Sequence, residues 1–162
     1  MSGFSVKPLD AIAHIPMKKH PSKSSLDLQG VAPLLQVYDM LTSLKFYRDM
    51  LEFSVDADSG RGDESDWVLL KGHGCQLMLN TVYESHRRPA KRNKTREIGH
   101  TDTCLYFHCP DVDATFKYLS KKGLKLEKPN VTGYGWKAIH LTDPDGYHLC
   151  FHWPLQESSQ LG

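Results

Sequence analysis

The sequence predicts an α+β fold in which one βαβββ unit is used twice. Three observations carry this expectation. Two segments have apolar residues at helical spacing and begin after an aspartate, a residue type well suited to accept the free N–H groups of a first helical turn. Each of these helices lies among short runs of strand composition, one before it and three after it. The two capping aspartates, Asp39 and Asp111, stand 72 positions apart, and that offset brings almost all other elements into register, as a tandem repeat requires.

In the first unit, Leu34–Val37 reads as a strand. A helix follows over 40–51, with Met40, Leu44, Tyr47 and Leu51 on its buried face. A short strand at 53–56 precedes the polar stretch 59–66. Strands at 67–71 and 75–80 then flank the turn Gly72-His73-Gly74. In the second unit, 103–109 is a strand, and Val112, Phe116 and Leu119 share the face of the next helix. Gly123 stands where a helix C-terminus favours a residue free to take positive φ. Strands at 124–126, Trp136–Thr142 and 148–153 complete the unit, the last two joined by the turn Asp143-Pro144-Asp145-Gly146. That turn is expected to be structural, with proline fixing φ and glycine tolerating positive φ. The chain thus divides into an N-terminal arm (1–30, with Pro8, Pro16 and Pro21), a first module (31–84), a basic linker loop (85–100), a second module (101–154) and a C-terminal tail (155–162).

Composition narrows the function classes. The chain has 162 residues, 40% hydrophobic and 24% charged, with 20 Lys+Arg against 19 Asp+Glu, so no global field draws it to nucleic acid or a membrane surface. No run approaches the roughly 20 apolar residues of a membrane span. The four cysteines (Cys75, Cys104, Cys109, Cys150) form no CxxC pair and are too few for a disulfide scaffold. A cytoplasmic protein is expected.

The string Pro33-Leu34-Leu35-Gln36-Val37-Tyr38-Asp39, the run from Ser43 to Phe53, and Tyr134-Gly135-Trp136 followed by Asp143-Pro144-Asp145-Gly146 resemble the vicinal oxygen chelate superfamily. This group includes glyoxalase I, extradiol dioxygenases, fosfomycin-resistance thiol transferases and bleomycin-resistance binding proteins. The resemblance covers residues 31–154. It implies a curved mixed sheet around a cup, formed by two βαβββ modules, and a homodimer whose subunits complete or border each other's cups.

Strand parity divides the faces, because alternate side chains point to opposite sides. The purely apolar sets, Leu105 and Phe107, Ile139 and Leu141, and Leu149, Phe151 and Trp153, are expected against the helices. The mixed sets line the cup: Ala32, Leu34 and Gln36; Gln76, Met78 and Asn80; Cys104, Tyr106 and His108; Ala138 and His140; His148, Cys150 and His152. Metal-dependent members of the superfamily take His, Gln or Glu ligands from positions that fall here on Ala32, Gln76, Cys104 and Cys150. Ala32 has no donor, Gln76 is a neutral oxygen, and two thiols are soft ligands unlike the oxygen and imidazole set suited to magnesium, manganese or ferrous iron. No catalytic metal and no cofactor are therefore expected. The cysteines read as small buried hydrophobes, with a soft zinc or copper site from Cys104 and Cys150 with His108, His140, His148 or His152 as the sharper alternative and a nucleophilic thiol, which needs an activating cation or helix N-terminus, as the third.

The linker carries Arg87, Arg88, Lys91, Arg92, Lys94 and Arg96 against Glu97. It reads either as a solvated, mobile crossover or as an electropositive lip selecting anionic ligands. The expected function is metal-independent binding of a small molecule, anionic if the lip is real, with antibiotic sequestration as the resemblance implies. Gln36, Trp67, Gln76, Met78, Asn80, Cys104, Tyr106, His108, Trp136, His140 and Cys150 are its candidate contacts, with no nucleic-acid or membrane partner. The alternatives are a lyase, thiol transferase or dioxygenase with an atypical metal site, and a regulatory or interaction module.

Overall fold

The first strand gives way to the first helix where Asp39 turns the chain. Its backbone is extended, and its carboxylate accepts from the N–H and the hydroxyl of Thr42, both at 2.8 Å. Asp111 does the same for Ala114 N–H at 2.8 Å. The protein is described by a computed structural model over residues 28–155. The expected arm and tail therefore lie almost wholly outside the described residues. The elements are β1 (Leu34–Val37), α1 (Met40–Leu44), β2 (Ser54–Asp58), β3 (Trp67–Gly72), β4 (Cys75–Thr81), α2 (Lys94–His100), β5 (Cys104–His108), α3 (Val112–Lys121), β6 (Asn130–Val131), β7 (Trp136–Thr142) and β8 (His148–Pro154).

Each module keeps its own four-stranded mixed sheet, in the order β1-β4-β3-β2 and β5-β8-β7-β6. The first and last strands of each module pair in parallel, and the remaining neighbours are antiparallel. Alternate residues of the two sheets, including Leu35, Val37, Val68, Leu70, Leu77, Leu79, Ile139 and Leu149, are buried with the helices in one core. Each such side chain contributes about 1.5–3 kcal/mol of apolar burial. Leu105, Phe107 and Phe151 pack partly buried against the same core. Trp153, assigned to this face by parity, is instead exposed at the end of β8.

Three elements differ from the sequence reading. The helix expected over 40–51 is α-helical only to Leu44 and continues as a π-helix over Lys45–Met50. The wider turn adds one residue relative to α3, which is why Phe46 is buried alongside the expected Met40, Leu44, Tyr47 and Leu51. Glu52 follows at φ +61, where the second module has Gly123 at φ +93. A side chain in that conformation costs about 1–2 kcal/mol. The second difference is the strand expected at 124–126. Leu124 and Leu126 do alternate onto the core, but they enter no ladder, and pairing with β7 begins only at Asn130, after Pro129. Apolar alternation marked an extended chain, not a hydrogen-bonded one.

The third difference is the linker, which is no free crossover loop. It contains α2, capped by Asn93, whose side chain accepts from Arg96 N–H. Arg88 pairs with Asp39. Arg92 reaches Asp145 at 3.1 Å, Glu97 at 3.1 Å and the Pro144 carbonyl at 2.6 Å, with its guanidinium 4.8 Å from the Tyr38 ring centroid. These cations are drawn inward by carboxylates.

The turn between β7 and β8 gathers these contacts. Asp143 accepts from the N–H groups of Asp145 (2.8 Å) and Tyr147 (2.9 Å) and from the Tyr47 hydroxyl (2.8 Å). Asp145 accepts from Tyr38 N–H (2.8 Å), the Ser43 hydroxyl (3.0 Å) and Arg92. The turn is structural, as its composition predicts, and it also fastens the second module to the first.

Gly146, at φ +93, would place a Cβ 2.8 Å from the Glu97 carbonyl oxygen. Gly146→Val should therefore lower unfolding stability by about 2–4 kcal/mol in urea titration; a loss under about 0.5 kcal/mol would contradict the packing. Asp145→Ala, which strips three donors of their partner, should cost a comparable amount. Asp63→Ala, removing the exposed partner of Arg48, should cost less than about 1 kcal/mol.

Candidate functional site

The faces of the two sheets that point away from the core carry the candidate residues. On the first sheet, Gln36, Asn80 and Trp67 stand in one cross-strand row, with Asn80 Nδ2 donating to Gln36 Oε1 at 3.2 Å. Leu34, Met78 and Leu69 form the next row, and Gln76 opposes Lys71 beyond it. Gln76 is exposed, while Met78, Asn80, Gln36 and Trp67 are half-buried.

On the second sheet, Tyr106, Cys150 and His140 form one row and His108, His152 and Ala138 the next. Cys104 opposes His148, whose Nδ1 lies 3.2 Å from the Thr142 hydroxyl. Ala138 is small, and the Trp136 indole, on the same face of β7, lies over His152 with ring centroids 4.4 Å apart and planes 6° from parallel. Tyr106 meets the same imidazole edge-on at 5.4 Å, His108 flanks it at 4.9 Å, and Tyr134 stands against Trp136 at 5.3 Å. His152 is thereby only 2% exposed, and its Nδ1 has no hydrogen-bond partner among the described residues. Burial, and secondarily His108, push its pKa below the usual imidazole value.

The structure thus brings Tyr106, His108, Trp136, His140 and Cys150 together, and separately Gln36, Trp67 and Asn80. No hydrogen bond or ring contact among the described residues joins the two sets. Sequence parity placed His152 on this face without showing that it is the centre of the aromatic nest. Tyr134 was missed because it lies in the turn before β7, where strand alternation gives no information. Tyr106 and Tyr134 remain 53% and 62% exposed.

Cys150 is a packed, buried thiol as expected, whereas Cys104, at the start of β5, is exposed and does not fit the reading of a buried hydrophobe. Burial, with a smaller contribution from Cys104, pushes Cys150 up to about 11, and burial also raises Cys104. Cys150 Sγ lies 3.9 Å from His140 Nε2. The positions that bind metal in other members of the fold do not fit a hard cation here: Ala32 offers a methyl group, and Gln76 projects from an exposed strand position. Of the six linker cations, Arg87, Arg88 and Arg92 are paired with carboxylates. An electropositive lip would rest on Lys91, Lys94 and Arg96 alone.

Residues 30–151 match the family described as the Glyoxalase/Bleomycin resistance protein/Dioxygenase superfamily. Among solved structures, SMU.1112c is 26% identical with a TM-score of 0.61, over 78% of this chain and 100% of its own. A bleomycin-binding protein in complex with bleomycin is 15% identical with a TM-score of 0.60, over 79% of this chain and 100% of its own. Lactoylglutathione lyase from Agrobacterium tumefaciens is 16% identical with a TM-score of 0.56, over 77% of this chain and 93% of its own. The last two share the fold alone. No curated protein matches. The family match spans about three quarters of the sequence and both βαβββ units, and the chain belongs to the glyoxalase/bleomycin resistance protein/dioxygenase superfamily.

Proposed function

We propose that this protein binds a small molecule with a flat, unsaturated portion, without a metal ion, and acts by sequestering it in the cytoplasm. The observation that carries the reading is the nest of Tyr106, Tyr134, Trp136 and His152. Aromatic faces at this spacing favour offset or edge contacts with another ring, each worth about 0.5–1.5 kcal/mol beyond its area. Burial disfavours the charge on His152 and holds the Cys150 thiol up at about 11. Orientation then comes from hydrogen bonds, with His108 and His140 at the rim of the nest. The fold is shared with a protein crystallised with bleomycin, so it can accommodate a ligand of that size.

The first sheet supplies the second wall. Gln36, Asn80 and Trp67 give it two amides and an indole in one row, and Met78 an adaptable apolar neighbour. We place the two walls together through a second copy of the chain, in an isologous dimer. Leu34, Tyr106 and Tyr134 leave apolar surface on the open faces that an association of this kind covers. With Arg88 and Arg92 committed to Asp39 and Asp145, a ligand need not be anionic.

A thermal-shift screen across antibiotics, thiols and small anions should return compounds with unsaturated rings, because selective binding to the native state raises its midpoint. Trp136→Ala should weaken any such compound that carries no ammonium group by at least about tenfold while the unliganded protein still folds cooperatively. Undiminished binding by this variant would remove the nest from the site. Sedimentation equilibrium at micromolar concentration should give twice the chain mass; a monomer would leave each wall alone. Metal analysis of untagged protein should find less than one transition metal per chain, and stoichiometric metal lost in Cys104→Ala or Cys150→Ser would favour an enzyme instead.

A further inference from the structure

A separate cavity of about 490 Å³ opens between the modules on their helix side. Met50, Phe53, Phe107 and Phe151 supply much of its wall, and of the aromatic nest it shares only His108. Its size is that of a drug-like binding site. Its charge is one-sided. Glu52 is the single Asp, Glu, Lys or Arg among the described residues lining it. Lys122 lies over the Tyr118 ring at 5.3 Å and donates to the Asp49 carbonyl at 3.1 Å.

The backbone around the cavity carries steric cost. Glu52 (φ +61) and His73 (φ +53) are the two non-glycine residues with positive φ among the described residues, and both line it. The equivalent helix end in the second module uses Gly123. Glycine would relieve the first module in the same way, but it would remove the one charge the cavity has. Glu52 is held in place from across the cleft, where the Tyr118 hydroxyl donates to its Oε1 at 2.6 Å. His73 braces the other side, with Nε2 2.9 Å from the Leu51 carbonyl oxygen and its ring edge-on to Phe53 at 5.5 Å. The π-helix ends at Met50, on the cavity wall, and such insertions are frequent at functional sites.

We propose that this cleft is a second ligand site, for a small aromatic amine. The ring body lies against Phe107 and Phe151, which Phe53 backs from the core, and the ammonium group pairs with the Glu52 carboxylate. The site takes no anion, because its wall has no lysine or arginine to meet one. Binding here does not depend on the sequestration reading, since the aromatic nest and Glu52 belong to different surfaces.

The test uses full-length protein, isothermal titration at pH 7.5 and two probes with one ring system and opposite charge: 2-(1-naphthyl)ethylamine and 1-naphthaleneacetic acid. The amine should bind at least about tenfold more tightly than the acid, the scale of one charge-assisted hydrogen bond. Glu52→Gly should lose that preference while its thermal midpoint holds or rises. Ala114→Phe, which fills the cleft from α3, should abolish amine binding, and Trp136→Ala should leave it within about twofold. The proposal fails if wild-type protein binds both probes equally or neither at millimolar concentration. It also fails if Trp136→Ala removes amine binding that Glu52→Gly retains, since the amine would then be a ligand of the nest.

Discussion

The turn Asp143-Pro144-Asp145-Gly146 holds two carboxylates in the interior, and the joining of the modules depends on how they are satisfied. Ionised carboxylates are costly to bury unless several donors meet them. Asp143 is met by two N–H groups of its own turn and by the Tyr47 hydroxyl from the first module. Burial still pushes its pKa above the usual carboxylate range, against those hydrogen bonds, and it pushes the Tyr47 phenol higher as well. Asp145 is met wholly by groups from outside its turn: the Tyr38 N–H, the Ser43 hydroxyl and the Arg92 guanidinium. A short turn thereby ties β1, α1 and the linker to the second sheet.

This fastening has a consequence for the faces. The apolar sides of both sheets share one core with the helices, and Tyr147 joins them by hydrogen bonding through its hydroxyl to the Gln36 backbone and stacking on His100. The mixed sides then point away from that core. An aromatic nest with half-exposed tyrosines on one sheet and an amide row on the other are therefore left for something outside the chain. On the proposed reading, a ligand would take up the aromatic faces and a second copy would bring the second wall to them.

The repeat was legible because both of its anchors are short-range. A capping aspartate acts on residues three positions ahead, and strand parity acts on neighbours, so the sequence carries each within a few residues. The mixed row Tyr106, Cys150 and His140 follows from parity and the register of three strands. What escaped was long-range. The fate of Arg88 and Arg92 depended on Asp39 and Asp145, which lie 49 and 53 positions away. The stacking of Trp136 on His152 needed the small Ala138 between them in the sheet. The π-helix escaped for another reason: Phe46 reads as exposed on an α-helical wheel and becomes buried only when the turn widens. Residues 124–126 show the complementary error, in which correct alternation did not imply a ladder.

The central claim is that the mixed faces of the two sheets act together on one ligand. Indole ¹H–¹⁵N resonances test it directly, because Trp67 stands in the amide row and Trp136 in the aromatic nest. Titration with a compound that carries no ammonium group and raises the thermal midpoint should shift both indole signals along one saturation curve. A compound without an ammonium group that stabilises the protein while leaving both indole signals in place would contradict that reading.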